Sequence, residues 1–163
     1  MLKYLDYRVV FKEIPDEITL AISITNCPNN CKGCHSPKLK EDIGILLTLD
    51  ILESLIFENS EVSCICFMGG DSEPEYLYKL VSYLKDEFFG YKVAWYSGND
   101  TINPTLKDKL DYYKIGPYIE KYGGLDNPNT NQRMYKIVDG KLEDITYKFW
   151  KTDNLVGTNK SIN

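Results

Sequence analysis

Cys27-Pro28-Asn29-Asn30-Cys31-Lys32-Gly33-Cys34-His35 follows a run that reads as a buried strand, Glu17-Ile18-Thr19-Leu20-Ala21-Ile22-Ser23-Ile24. In that run Ile18, Leu20, Ile22 and Ile24 alternate onto one face. Ala21 and Ser23 fall on the other, and side chains this small predict that it is packed too. Three cysteines at C-x3-C-x2-C spacing then leave the C-terminal end of the strand, the end at which parallel α/β sheets hold ligands. Pro28 and Gly33 bend the loop, and Asn29 and Asn30 suit turn conformations, so one short loop can wrap three thiolates around a centre. Thiolates select zinc or iron–sulfur centres over hard cations. Zinc would want a fourth ligand, and His35 makes a Cys3His knuckle an open alternative. A [4Fe-4S] cluster normally takes four cysteines, so three imply one iron left free to bind a substrate.

Composition narrows the class around that loop. A chain of 163 residues that is 43% hydrophobic and 13% aromatic folds as one globular domain, expected over 1–150, with a polar, frayed tail over 151–163. Net charge is −5, and the arginines are Arg8 and Arg133 alone; with no basic stripe, nucleic acid is not the expected partner. Neither a signal peptide nor a membrane span is expected. Five cysteines, three of them in one loop, suit a reducing compartment better than a disulfide framework. The expectation is a cytoplasmic protein.

The chain in order alternates strands with helices. Tyr7 to Phe11 reads as a short edge strand ended by Pro15, and 36–47 as a connection. Thr48 offers an N-cap, Leu47 and Leu52 a hydrophobic staple, and Leu49, Leu52, Leu55 and Ile56 the stripe of a helix ending near Glu58. Val62 to Phe67 is a buried strand, followed directly by Met68-Gly69-Gly70-Asp71. Pro74 opens the clearest helix, on Leu77, Leu80, Val81, Leu84 and Phe88, with Gly90 as its stop. Lys92 to Tyr96 is a strand, Ser97-Gly98-Asn99-Asp100 its loop, Pro104 to Leu110 a short helix and Tyr112 to Ile115 a further strand. Residues 116–133 form a loop rich in glycine, asparagine and proline. Arg133–Val138 and Lys141–Ile145 then form a hairpin around Asp139-Gly140. Such alternation predicts a mostly parallel sheet.

The cysteine spacing, with the ring of His35 after it, resembles the cluster loop of the radical S-adenosylmethionine superfamily. Gly69-Gly70-Asp71, at the end of the next strand, is similar to that superfamily's GGE or GGD segment. The resemblance implies an α/β fold of open partial (βα) barrel type in short form, with a C-terminal hairpin added. It implies a [4Fe-4S] cluster on Cys27, Cys31 and Cys34, and S-adenosylmethionine as the second cofactor. Gly33, Cys34, His35, Gly69, Gly70, Asp71, Ser97 and Gly98 are the implied cofactor-binding residues. Asp71 would face the methionine amino group, and Ser97 and Gly98 the ribose or carboxylate. His35 is expected to pack beside the cluster. No catalytic residue is implied beyond the cluster ligands.

Gly116-Pro117-Tyr118-Ile119-Glu120, then Asn129-Thr130-Asn131-Gln132-Arg133, resembles the activating proteins of class III (anaerobic) ribonucleotide reductases over about residues 7–138. The chain departs from them at Ile115, where many carry an acidic residue, and lacks a glycine-rich turn before the first strand. The implied activity is reductive cleavage of S-adenosylmethionine and formation of a glycyl radical on a large partner enzyme, with a flavodoxin-like electron donor. Activation of another glycyl-radical enzyme, and a small-molecule radical enzyme such as a deazapurine synthase, are the alternatives within that chemistry. Cys64 and Cys66 share one strand face and read as small buried hydrophobes. Tyr112, Tyr113 and Tyr118 read as core and rim. Lys114 and Arg133 are both candidates to touch the cofactor carboxylate.

Overall fold

The computed structural model describes residues 1–151, and the tail expected from 151 lies outside them but for Lys151. One eight-stranded sheet is formed by β1 (Lys3–Val10), β2 (Thr19–Ile24), β3 (Ile45–Leu46), β4 (Cys64–Met68), β5 (Lys92–Tyr96), β6 (Tyr112–Ile115), β7 (Arg133–Val138) and β8 (Lys141–Asp144). Their order across the sheet is β3-β1-β2-β4-β5-β6-β7-β8. Strands β2, β4, β5 and β6 are parallel, whereas β3-β1-β2 on one side and β6-β7-β8 on the other pair antiparallel. The sheet is therefore parallel at its centre only. Short connections between β1 and β2 and between β7 and β8 leave no length for a crossover, and so dictate antiparallel pairing.

Two expectations change at the N-terminal side. The first strand begins at Lys3, not Tyr7, and lies inside the sheet rather than on its edge. The edge belongs to β3, whose two exposed residues are too few to leave a periodic signal. Elsewhere the boundaries follow the chain closely. Helix α1 spans Leu49–Glu58, with Thr48 Oγ1 accepting from the Ile51 N–H, and Leu47 and Leu52 are both fully buried. Helix α2 spans Pro74–Glu87 with proline in its first turn. It ends at Phe88, whose N–H bonds the Leu84 carbonyl, before Gly90 is reached. The third helix, α3, is a single turn, Pro104–Lys107.

Strand pairing sorts the side chains into two unlike faces. Ile22, Phe67, Trp95 and Tyr113 pair across adjacent strands, and Leu20, Ile65 and Val93 form the row beside them. All are buried and pack with Leu52, Leu55 and Ile56 of α1 and Leu77, Leu80, Val81 and Leu84 of α2. Thus the helices cover one face. The other carries Ala21, Cys66, Ala94 and Tyr112 in one row, and Ser23, Met68, Tyr96 and Lys114 in the next. There a smaller cluster forms among Cys64, Cys66, Ala94, Tyr112, Met134, Ile14 and Ile145. Burial pushes both the Cys64 and Cys66 thiols up, so they stay protonated as small apolar groups. Among the described residues no helix is long and apolar enough to cross a membrane.

Candidate iron–sulfur site

All four parallel strands end on one edge of the sheet, and the three loop cysteines, Gly33, His35, Gly69-Gly70-Asp71 and Ser97-Gly98 lie on the loops leaving that edge. Strand β2 runs into Thr25, whose Oγ1 donates to the Ile43 carbonyl at 2.7 Å. The next two N–H groups bond backwards onto the following connection, Asn26 to Glu41 O and Cys27 to Leu39 O, both at 2.9 Å. Lys40 Nζ donates to Asn30 Oδ1 at 3.0 Å and to the Cys31 carbonyl at 3.4 Å. The cysteine loop is thereby held open at the surface, with Cys27, Cys31 and Cys34 all half-buried and unpaired. Cys34 Sγ accepts from the Ser36 N–H at 3.4 Å. Burial raises the Cys27 thiol, with the charges of Asp71 and Cys31 adding to it.

Gly69 and Gly70 turn the chain away from β4 at φ of +105° and +102°. Gly69 is doubly constrained. A Cβ there would meet the Ile24 carbonyl at 3.0 Å, and Trp95 Nε1 donates to its carbonyl at 2.8 Å. This tight crossing brings Asp71 between the cysteine loop and the β5 loop. Its carboxylate accepts from Ser97 Oγ at 2.5 Å, Gly98 N–H at 2.8 Å, Asn99 Nδ2 at 3.2 Å and Asn29 Nδ2 at 3.3 Å. Cysteine loop, Gly-Gly-Asp segment and Ser97–Asn99 are thus joined at one carboxylate. Ser97 is itself buried and spends its hydroxyl on Asp71. Gly98 sits so close to Asn29 that a Cβ would overlap the Asn29 side-chain amide, whose Cγ would lie 2.9 Å away. Gly98→Ala is expected to displace Asn29 and weaken cluster loading at least severalfold while leaving the core strands intact; iron content and circular dichroism test this.

Lys114 completes the floor of the site. Its Nζ donates to the Ser97 carbonyl at 3.1 Å and the Gly116 carbonyl at 2.6 Å. Burial pulls its ammonium down to about 8, against the opposing fields of Asp71, Cys31 and Cys27. Folding thus lowers this pKa from its ordinary 10.5. Between these two values the unfolded chain holds a proton that the folded chain has released. The penalty of burying the charge is in full force below pH 8 and is relieved as the pH rises towards 10.5. Relative to Lys114→Met, the wild-type apoprotein should therefore gain up to about 3 kcal/mol across that window. Urea unfolding of both proteins at several pH values measures the difference; a constant difference would contradict it.

Several of these contacts were beyond pattern reading. Asn29 read only as a turn residue, Asn99 as part of a loop and Tyr118 as core or rim. Tyr118 instead lies against His35, ring centroids 4.9 Å apart and planes at 85°. Glu120 comes beside Gly33. Arg133 points elsewhere, its guanidinium 3.9 Å from Asp144.

The donor set fits an iron–sulfur cluster: three thiols on one loop, backed by the half-buried ammonium of Lys114, which offsets negative charge. Among the described residues no three His, Cys, Asp or Glu side chains converge as ligands of one metal ion. A cluster that takes one thiolate per iron asks for no such convergence. No curated protein and no solved structure matches the chain. A family model described as a 4Fe-4S single cluster domain matches residues 18–118, from the start of β2 to the beginning of the loop after β6. That stretch holds all three loop cysteines, Gly69-Gly70-Asp71, Ser97-Gly98 and Lys114, and covers more than half of the chain. The chain belongs to the 4Fe-4S single cluster domain family.

Proposed function

We propose that this iron–sulfur protein is a radical S-adenosylmethionine activase whose substrate is a glycine of a large partner enzyme, the class III ribonucleotide reductase being the best match. The observation that carries this reading is the Asp71 junction, which draws the C-x3-C-x2-C loop, the Gly-Gly-Asp segment and Ser97–Asn99 to one point. Helices on a single face, four parallel strands at the centre and all site loops on one edge also support the open partial barrel.

In this reading Cys27, Cys31 and Cys34 hold three irons. Asp71 and the backbone of Gly69 and Gly70 receive the amino end of the cofactor, and Lys114 offers its remaining N–H bond to the carboxylate. Cluster and cofactor, when bound, would supply the one-electron chemistry that removes a hydrogen atom from the partner's glycine, a flavodoxin-like donor providing the electron. The chain's own part is to orient these groups.

Two cavities flank the loop: one of about 180 Å³ on the uncovered sheet face, bordered by Arg8, Ala21, Ser23, Ser36, Leu39 and Met68, and one of about 710 Å³ bordered by His35, Tyr118, Gly123 and Asn127. The larger lies within the roughly 300–1,000 Å³ usual for small-molecule sites, so the preference for a protein substrate rests on the resemblance to the activating proteins and not on cavity size. Ala21 is buried, as expected of a packed face, while Ser23 is half-buried and borders the smaller cavity.

The test is anaerobic reconstitution with iron and sulfide, then EPR of the reduced protein with and without S-adenosylmethionine, then mixing with the reductase. The expected result is a cluster signal that changes on adding the cofactor, and a glycyl radical signal on the partner. A cluster blind to the cofactor, or tightly held zinc in its place, overturns the proposal.

A further inference from the structure

The cysteine loop is restrained unevenly. Its first half is tied down by Asn26 and Cys27 to the following connection, by Lys40 to Asn30 and Cys31, and by Asn29 to Asp71. Across Lys32, Gly33, Cys34 and His35, among the described residues, the one hydrogen bond is that from Ser36 N–H to Cys34 Sγ. This is the half that presents the third thiol, and Gly33 adopts φ +72° within it. Something other than hydrogen bonding must fix it.

Apart from its chain neighbours, the three heavy atoms nearest to a Cβ built on Gly33 come from the loop after β6, some 85 residues on. Tyr118 Cε1 lies 3.6 Å and Glu120 Oε1 3.5 Å from that position. The Tyr118 ring also meets the His35 ring edge-on at 4.9 Å, a favoured aromatic geometry. Tyr118 is itself well anchored. The Pro117 carbonyl accepts from Asn131 Nδ2 at 3.0 Å. Gly116 O accepts from Lys114 Nζ at 2.6 Å and Gln132 Nε2 at 3.4 Å, while its N–H bonds Asn99 O at 2.7 Å. A rigid arm thus rests on the one slack part of the loop.

We propose that Tyr118 is a positioning residue: its ring, braced through Pro117 and Asn131, holds the Gly33–His35 turn and so sets where Cys34 presents its sulfur. Asn131 and Gln132 act through it, and touch no cofactor. This deepens the function proposed above and rests on Cys34 being a cluster ligand.

The first readout needs neither cluster nor cofactor. Hydrogen–deuterium exchange of the anaerobic apoprotein should show the Ser36 amide, which bonds Cys34 Sγ, exchanging about three- to tenfold faster in Tyr118→Ala than in wild type, the loss expected for one aromatic pair. Tyr118→Phe keeps the ring edge and should match wild type, whereas Tyr118→Leu should resemble Tyr118→Ala. After reconstitution, Tyr118→Ala should alter the line shape of the reduced cluster and Tyr118→Phe should not. Unchanged exchange at Ser36 in Tyr118→Ala, or exchange rising throughout β2, β4 and β5 in both Ala and Leu variants, overturns the inference. A wild-type cluster that ignores S-adenosylmethionine would sink the activase proposal, yet leave the exchange result standing.

Discussion

Cys31→Ala yields a protein that folds as the wild type does but holds only background iron and sulfide after anaerobic reconstitution, against ~4 irons per chain for wild type. Both halves follow from where the residue sits. Cys31 is half-buried on a surface loop, its sulfur has no hydrogen-bond partner, and it belongs to neither hydrophobic cluster. Removing it exposes no cavity, so the apoprotein midpoint should move by no more than about 2 °C. Loss of one of three ligands from a cluster that already lacks a fourth leaves two irons without protein anchorage, and such a cluster is not retained. Cys66→Ala is the converse experiment. Cys66 is fully buried among Cys64, Ala94 and Tyr112, so truncation should cost roughly 1 kcal/mol of stability and leave the iron in place. If Cys31→Ala kept its full iron, the assignment of the loop cysteines as ligands would fall.

That contrast also marks what the chain discloses about itself. Cys27, Cys31 and Cys34 are legible as a group because their spacing keeps them within one loop, where all three are half-buried and unpaired. Cys64 and Cys66 are legible because a strand's period of two assigns both to one face. The strands β4, β5 and β6 could be read for the same reason: central parallel strands are apolar throughout, and Ile65, Phe67, Val93 and Trp95 are all buried. Strand β3 could not, since Ile45 and Leu46 are exposed and pair only with Lys3 and Tyr4. Nor could the site's interior contacts. Asn29 meets Asp71 across 42 residues and Tyr118 meets His35 across 83, and nothing local to either residue records the meeting. Gly98 is an intermediate case. Its place at a strand end resembling a cofactor-binding motif marks it as a site residue, but that its neighbour is Asn29 depends on how β2 and β5 flank β4.

Asp71→Ala should be the most damaging substitution at the site that touches no cysteine. Four donors converge on this carboxylate from two loops: Ser97 Oγ, Gly98 N–H, Asn99 Nδ2 and Asn29 Nδ2. Hydrogen bonds to a charged acceptor contribute about 1.5–3 kcal/mol each, but they are not additive, and water reaches a half-buried site. A net cost of about 3 kcal/mol is reasonable, lowering the midpoint by roughly 6–12 °C. Asp71→Asn tests the charge separately. An amide keeps one acceptor oxygen but turns its NH2 towards donors, so it should recover less than half of the loss. Ser97→Ala removes a single donor and should cost only about 1 kcal/mol. Beyond stability, the Asn29 contact is the bond that links the cysteine loop to the Gly-Gly-Asp segment. Asp71→Ala should therefore still assemble a cluster on its three cysteines, but the reduced signal should no longer respond to S-adenosylmethionine. A variant with wild-type midpoint and wild-type response would mean that the junction neither braces the site nor receives the cofactor. A lowered midpoint with the response intact would confine Asp71 to bracing, and Lys114 and the backbone of Gly69 and Gly70 would then have to hold the amino acid end of the cofactor without it.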